Sequence, residues 1–381
     1  MATGKRAFGR VRKLPSGRWQ ARYPAPDGLD RPAPTTFRTK REATDWLSDK
    51  QTEIRSGAWI DPDAGKIPFG DYAAAWVKQR KLAVTTRELY ETLLRLHLAP
   101  TFGRVAVADI TPATVRMWRA AHLDTAGAST VAKSYALLRA VMNTALEDQL
   151  ITRNPCRIKG GSVVDTPERP TATVPEVFAI ADAIQPRYRL LVLLAGFLGL
   201  RWGELIALTR QDIDAHAGTV RVRAAVAELR SGKRITKLPK SKAGVRTVAV
   251  PEVILPSLRQ HLDVYAEPWR DGRVFLGAKG ATPRRNHFGK VWHRACEAVG
   301  ISGLHFHDLR HTGNTLTAST GASTKELMAR FGHSTSRAAL IYQHATEERQ
   351  RTIADALNDR IIDSMKRGSG RNGHATGTAG E

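Results

Sequence analysis

Residues 198–214 read Leu198-Gly199-Leu200-Arg201-Trp202-Gly203-Glu204-Leu205-Ile206-Ala207-Leu208-Thr209-Arg210-Gln211-Asp212-Ile213-Asp214. An apolar run stops at a glycine, and an arginine and a glutamate then follow three apart at a helix start, hence on one face. Three further patterns lie downstream. His307-Asp308-Leu309-Arg310-His311-Thr312 repeats the spacing with a His and an Arg. Phe331-Gly332-His333 ends a helical stretch, and Tyr342 comes nine residues later inside Ala339-Leu340-Ile341-Tyr342-Gln343-His344. Each has an ordinary structural reading: an Arg paired with a nearby acid, a surface pair on a helix, a glycine C-cap, a half-buried ring among Leu and Ile.

The rest of the chain narrows the choice. It has 381 residues, with 59 Lys+Arg against 36 Asp+Glu and a formal net charge of +23. That length suggests two or three domains. A 42% hydrophobic share with 25% charged residues excludes a largely disordered chain. The longest apolar run, around 190–200, is cut by Gly196, Gly199 and Arg201, short of the ~18–20 residues that span a bilayer. The first residues, MATGKRAFGRVRK, have no apolar core behind their charges and do not read as a secretory signal. Cys156 and Cys296 form no metal or redox spacing, so the chain reads as a reduced, cytosolic protein. The positive excess favours a polyanionic partner, with a ribosome-associated protein or a merely basic surface left open. No amphipathic anchor argues for a membrane.

The pattern implies a mainly α fold with small β-sheets. Residues 1–60 read as three short strands, the last ending at TTFRTK, followed by a helix from Lys40 to about Ser56 with Ala43, Trp46, Leu47 and Ile54 on its apolar side. Arg10, Arg12, Lys13, Arg18, Arg22, Arg31 and Arg38 crowd the sheet, either as a solvated face or as a ribbon laid against duplex DNA. Residues 61–68 read as a linker. Residues 69–158 read as wholly helical, with helices at Phe69–Arg80, Thr85–Leu98, from Pro112, and at Ser129–Gln149. Lys78, Arg80, Lys81, Arg87, Arg116, Arg119, Lys133 and Arg139 make its faces positive. A second linker covers about 160–170. The third unit opens on the capping box Thr173-Val174-Pro175-Glu176 and is helical except for a period-two stretch from Gly218 to Val250. That stretch reads as an antiparallel sheet with Ser241-Lys242-Ala243-Gly244 as a turn, and Arg273–Leu276 as a further short strand.

These motifs in this order, with a lysine-tipped hairpin between the first and second, resemble the tyrosine recombinase (phage integrase) family over most of the chain. Residues 1–60 are similar to an arm-type-site DNA-binding domain, 66–160 to a helical core-binding domain and 170–366 to the catalytic domain, with 367–381 a disordered tail. The resemblance implies a site-specific recombinase that integrates or excises a mobile element through a 3′-phosphotyrosyl intermediate. Tyr342 would be the nucleophile, Arg201 and Arg310 would hold the scissile phosphate beside His307 and His333, Lys242 would be the general acid, and Glu204 would support Arg201. Arg10, Arg12, Lys13, Arg18, Arg22 and Lys133 would contact DNA. Implied partners are double-stranded core and arm attachment sites and a homotetramer on DNA, with a bending host factor and an excisionase left open. The expected place is the bacterial cytoplasm, at the nucleoid.

The chemistry is consistent with that assignment. Phosphoryl transfer needs charge stabilised on the phosphate oxygens, an aligned nucleophile and a protonated leaving group. Two guanidiniums can fork onto those oxygens, so no metal or cofactor is expected, and no carboxylate cluster of the Mg²⁺-holding kind is evident. A phenol with a pKa near 10 needs a neighbouring His or a positive field to lose its proton. Phe331 stands where the family often has Leu, a swap expected not to touch the site. Gly313 stands where Ala or Ser is usual, at a helix-propensity cost of up to ~1 kcal/mol. His311 and His344 are read as structural. The helix after Tyr342 carries Ile353, Ala356, Leu357, Ile361 and Ile362 as a stripe that packs either on its own subunit or on a neighbour. A non-catalytic architectural protein, a type IB topoisomerase and a chromosome-dimer-resolving recombinase remain as other readings; residues 1–60 favour an integrase over the last two.

Overall fold

The structure is a computed structural model that describes residues 8–164, 169–238, 244–340 and 347–369. The chain divides into two compact units, residues 1–166 and 167–381.

The first unit opens with an antiparallel sheet in the order β1 (Arg10–Lys13), β2 (Trp19–Pro24), β3 (Asp30–Pro32). The third strand is earlier and shorter than expected. Pro32 and Pro34 have no N–H to extend a ladder, and Phe37 of the TTFRTK stretch adds only a single bridge to Trp19. Helix α1 (Lys40–Arg55) starts where the Thr39 side chain accepts the Glu42 N–H at 3.1 Å. It buries Ala43 and Leu47 against Ala21 and Tyr23, and the Trp46 ring meets Tyr23 edge-on at 5.6 Å.

The stretch read as a linker is tied down. Arg31, 9% exposed, pairs with Asp27 at 2.6 Å, with Asp61 at 2.8 Å and with Asp63. Gly65 is buried, and a Cβ there would lie 2.4 Å from the Leu150 carbonyl oxygen. Pro and Gly marked the segment as irregular, which it is, but irregular backbone can still be packed.

The helical part holds α2 (Phe69–Gln79), α3 (Val84–Leu93), a π turn at Leu94–Leu98, α4 (Ala99–Phe102), α5 (Pro112–Thr125) and α6 (Ala128–Glu147). Phe69, Leu98, Phe102, Tyr135, Leu138 and Met142 are fully buried in its core. The helix expected at 85–98 changes pitch at Leu94. Pro100 cannot donate and its ring crowds the carbonyl one turn back, and the ladder widens so that the Ala99 N–H reaches the Leu94 carbonyl.

The second unit runs α7 (Val174–Ala183), α8 (Pro186–Phe197), α9 (Trp202–Leu205), β4 (Ile213–Asp214), β5 (Thr219–Val222), β6 (Ala225–Glu228), β7 (Arg234–Lys237) and β8 (Arg246–Ala249). It continues with α10 (Leu255–Val264), α11 (Arg285–Ala298), α12 (Asp308–Ser319), α13 (Thr324–Phe331), α14 (Ser336–Leu340) and α15 (Glu347–Ser369). The box at Thr173 forms as read, with the Glu176 carboxylate accepting the Thr173 N–H at 2.7 Å. From Leu190 onward helix α8 is apolar all round, and Leu190 to Gly196 are all buried, which makes it the central helix. Among the described residues no helix is long and apolar enough to cross a membrane.

Two strand expectations are corrected. The 218–250 stretch makes two sheets, β4-β5-β8 and the hairpin β6-β7. That hairpin turns at 229–233, where the Leu229 N–H reaches the Lys233 carbonyl at 2.8 Å. Since β7 pairs with β6 and β8 with β5, residues 238–245 connect two sheets; positions 239–243 lie outside the described residues. Period-two patterning marks strands but does not say which pair. Arg273–Leu276 is not a strand: Arg273 makes one bridge, to Thr209. At the other end α15 runs to Ser369, into the stretch expected to be a tail.

Candidate active site

Arg201 caps the short helix α9. Its backbone N–H donates to Glu204 Oε2 at 3.0 Å and its Nη1 donates to Glu204 Oε1 at 2.8 Å. Glu204 is buried, whereas the Arg201 side chain stays 42% exposed, so the carboxylate fixes one edge of a guanidinium that still faces outward. A second guanidinium lies beneath: Arg246 Nη2 donates to Glu204 Oε2 at 2.9 Å. Burial works to raise the Glu204 pKa, but the hydrogen bond and charge of Arg246, with Arg201, outweigh it and hold the carboxyl below its usual range.

Arg310, in the first turn of α12, is buried. Its Nη1 donates to the Gly199 carbonyl and its Nη2 to the Phe331 carbonyl at 2.5 Å. It therefore joins the turn two residues before Arg201 to the turn two residues before His333. Gly199 has φ +62°, and a Cβ there would lie 2.3 Å from the Phe331 ring, so conformation and space both call for glycine. The Phe331 ring is fully buried, stacks on His333 at 6.0 Å, and lies 5.8 Å from the Arg310 guanidinium carbon. The expectation that position 331 would not touch the site is thus wrong: a side chain at the C-terminus of α13 points inward under the cations.

His333 is buried, and burial, then the charges of Arg310, Arg201 and Arg246, push its imidazole down to about 4. His307 caps α12 and reaches the surface. Loss of water around the charged ring, then the charges of His311, Arg310 and Arg169, push it down to about 4 as well. Asp308 behind it is fully buried and pairs with Arg169 at 3.1 Å. Beneath these groups Trp202, Phe288 and Phe306 form an aromatic cluster, with Trp202–Phe288 at 4.7 Å and Phe288–Phe306 at 4.9 Å. Two guanidiniums and two neutral imidazoles, Arg201 from one segment and the others from more than a hundred residues further on, make a site suited to a phosphate ester.

A phage integrase N-terminal domain model matches residues 7–56, and a phage integrase family model matches residues 171–349. The prophage phiRv2 integrase of Mycobacterium tuberculosis is 44% identical over 371 residues, covering 93% of this chain and 97% of its own. The chain belongs to the phage integrase family. It is a site-specific tyrosine recombinase. Solved structures share the fold. The Tn1549 transposon integrase in complex with a circular intermediate DNA has a TM-score of 0.66 at 21% identity, covering 75% of this chain and 98% of that one. A lambda integrase tetramer bound to a Holliday junction has a TM-score of 0.56 at 17% identity, covering 89% and 96%.

In this integrase the fold brings together Arg201, Glu204, His307, Arg310 and His333. Lys242 and Tyr342 lie outside the described residues. The N-terminal sheet sorts its cations by strand parity. Arg10 faces Arg22 and Arg12 faces Gln20 across the β1–β2 register, on the side away from α1. Arg10 and Arg22 both pair with Asp30, and Arg12 Nε bonds Gln20 at 2.8 Å. Lys13 has the opposite parity, opposite Trp19, so it does not share that face. Arg18 bonds the Thr36 hydroxyl at 2.6 Å. Lys133 is exposed on α6. Of the cations read on the first 160 residues, Arg31 is held by its three aspartates, and Arg87 bonds the Val77 and Arg80 carbonyls that end α2, at 2.6 and 2.9 Å.

The sequence reading missed Arg246. The signal was available: Arg246, Val248 and Val250 share one parity, and all three are buried, so an arginine stood on the inward face of a strand and required a buried acid.

Proposed function

We propose that this integrase cuts and rejoins DNA through a 3′-phosphotyrosyl intermediate on Tyr342, integrating a mobile element and excising it by the reverse exchange. The phenolic oxygen attacks phosphorus, the P–O5′ bond breaks, and Lys242 protonates the leaving oxygen. Arg201 and Arg310 stabilise the charge on the non-bridging oxygens. A neutral imidazole, His307 or His333, would accept the phenolic proton. The observation that carries this reading is the convergence of Arg201 and Arg310 on one site, each held by a buried partner: Glu204 for the first, the Gly199 and Phe331 carbonyls for the second.

The proposed organisation is an arm-type DNA-binding domain at 1–60, a core-binding domain at 66–160 and a catalytic domain at 170–366. Double-stranded core and arm sites are the substrates, contacted in part by Arg10, Arg12, Arg18, Arg22 and Lys133, in the bacterial cytoplasm at the nucleoid. A homotetramer carries out the exchange, in line with the lambda integrase assembly, with a bending host factor and an excisionase as candidate partners. Leu357, Ile361, Ile362 and Met365 of α15 are exposed, which supports docking of this helix on a second copy of the chain. Deleting residues from about 351 onward should then lower cooperativity on paired sites before it affects single-site binding.

A nicked suicide duplex tests the reaction. Wild type should become covalently trapped and Tyr342→Phe should not; equal trapping by the two would overturn the mechanism.

A further inference from the structure

We propose that Arg246 is a positioning residue for strand cleavage: it orients the Arg201 guanidinium through the Glu204 carboxylate they share and ties that pair to the turn carrying His333. This rests on the reading of Arg201 as a phosphate-holding group.

Arg246 enters from the inward face of β8, with its side chain 5% exposed, so it is out of reach of DNA. Its guanidinium bonds two distant segments and the backbone just before its own strand. Nη2 donates to Glu204 Oε2 at 2.9 Å, with Nη1 3.4 Å from Oε1. Nε donates to the Arg330 carbonyl at 2.8 Å, three residues before His333. Nη1 also donates to the Gly244 carbonyl at 3.2 Å. The fork contacts both carboxylate oxygens and so fixes the plane of Glu204, whose Oε1 in turn receives Arg201 at 2.8 Å. Stability gives little reason to retain such a group. A buried ion pair seldom beats well-packed apolar side chains of the same volume, because both charges must leave water. What apolar packing cannot do is set the direction of an exposed guanidinium. Lysine cannot substitute either, since a single ammonium cannot reach the carboxylate and the Arg330 carbonyl in one plane.

The test is single-turnover cleavage by the full-length protein at saturating concentration. The probe is a nicked duplex carrying the attachment sequence read from the DNA flanking the integrated gene. One version has an ordinary scissile phosphodiester. In the other a methylphosphonate removes the charge that Arg201 would neutralise. Arg246→Met should bind the duplex as wild type does and cleave the phosphodiester roughly a hundredfold more slowly, as expected for a misaimed oxyanion donor. On the uncharged linkage its deficit should shrink to about fivefold or less, since no anion awaits the guanidinium. Arg246→Lys should resemble Arg246→Met, and it carries the test if the latter does not fold. Wild-type rates, or an equal deficit on both linkages, would overturn the proposal. Arg201→Ala run in parallel separates the two ideas. If it too lacks a linkage-dependent deficit, the reading of Arg201 fails; if it has one and the Arg246 variants do not, only the positioning role fails.

Discussion

Gly313 meets Gly196 where α12 crosses α8, so closely that a Cβ at 313 would lie 2.5 Å from the Gly196 carbonyl oxygen. Helix propensity counts Gly313 as a cost, but the crossing shows what it makes room for. Three residues before Gly313 stands Arg310, and three after Gly196 stands Gly199, whose carbonyl Arg310 holds. Gly313→Ala would gain up to ~1 kcal/mol of helix propensity and lose more, about 3 kcal/mol, by forcing the helices apart, for a net destabilisation of about 2 kcal/mol. Denaturant midpoints would measure it, and cleavage should slow in the same variant while it is still folded.

The two depressed imidazoles set a pH dependence. His333 and His307 sit at about 4 in the fold, against about 6.5 for an unfolded chain. The stability gained by keeping them neutral is full above about pH 6.5 and is lost as pH falls towards 4; for buried His333 the loss reaches at most about 3 kcal/mol. Unfolding at pH 7.5 and pH 5 should show it, and His333→Asn should flatten the difference.

Arg31 should matter for a segment 30 residues away. Hydrogen bonds to Arg31 hold the Asp27 carboxyl low, and Lys66 with Arg31 does the same for Asp63. Arg31→Gln should therefore release residues 57–66, with proteolytic cutting there roughly tenfold faster and the helical core unchanged. The tie depends on ionised acids, so it persists above the ordinary carboxylate range and is lost as pH falls through the lowered values.

The cations of the outer sheet face should act through charge. Exchanging Arg10, Arg12 and Arg22 for Gln should weaken arm-site binding and lower its salt slope by about 3 at most, one for each phosphate no longer neutralised, and less because Asp30 already partners two of them. Core-site cleavage should be unaffected. Lys13→Gln, on the other face, should do little.

The legible parts of this fold are those set by local chemistry. The Thr173–Glu176 box and α1 followed from capping and periodicity, and the Arg201–Glu204 spacing followed from helix geometry. The π turn before Pro100 was hidden because its apolar spacing still looked helical. Strand pairing in 218–250 was hidden because alternation is silent on partners. Arg246 and Phe331 belong to a third kind: their importance comes from what lies across the core, and Phe331 in particular looked like a routine apolar exchange until Gly199 and His333 were found against its ring.

Phe288 and Trp292 of α11 meet Trp202 and Phe306, the chain neighbours of Arg201 and His307. Close-packed rings deform little, and no slack backbone separates them from either cation-bearing turn. A tilt of α11 would therefore reach both halves of the site together, like a lever whose fulcrum is a mostly edge-on cluster of indoles and phenyls. A partner leaning on the outer side of α11, around the exposed Lys290 and Arg294, would thereby also set the spacing between the two turns of the site.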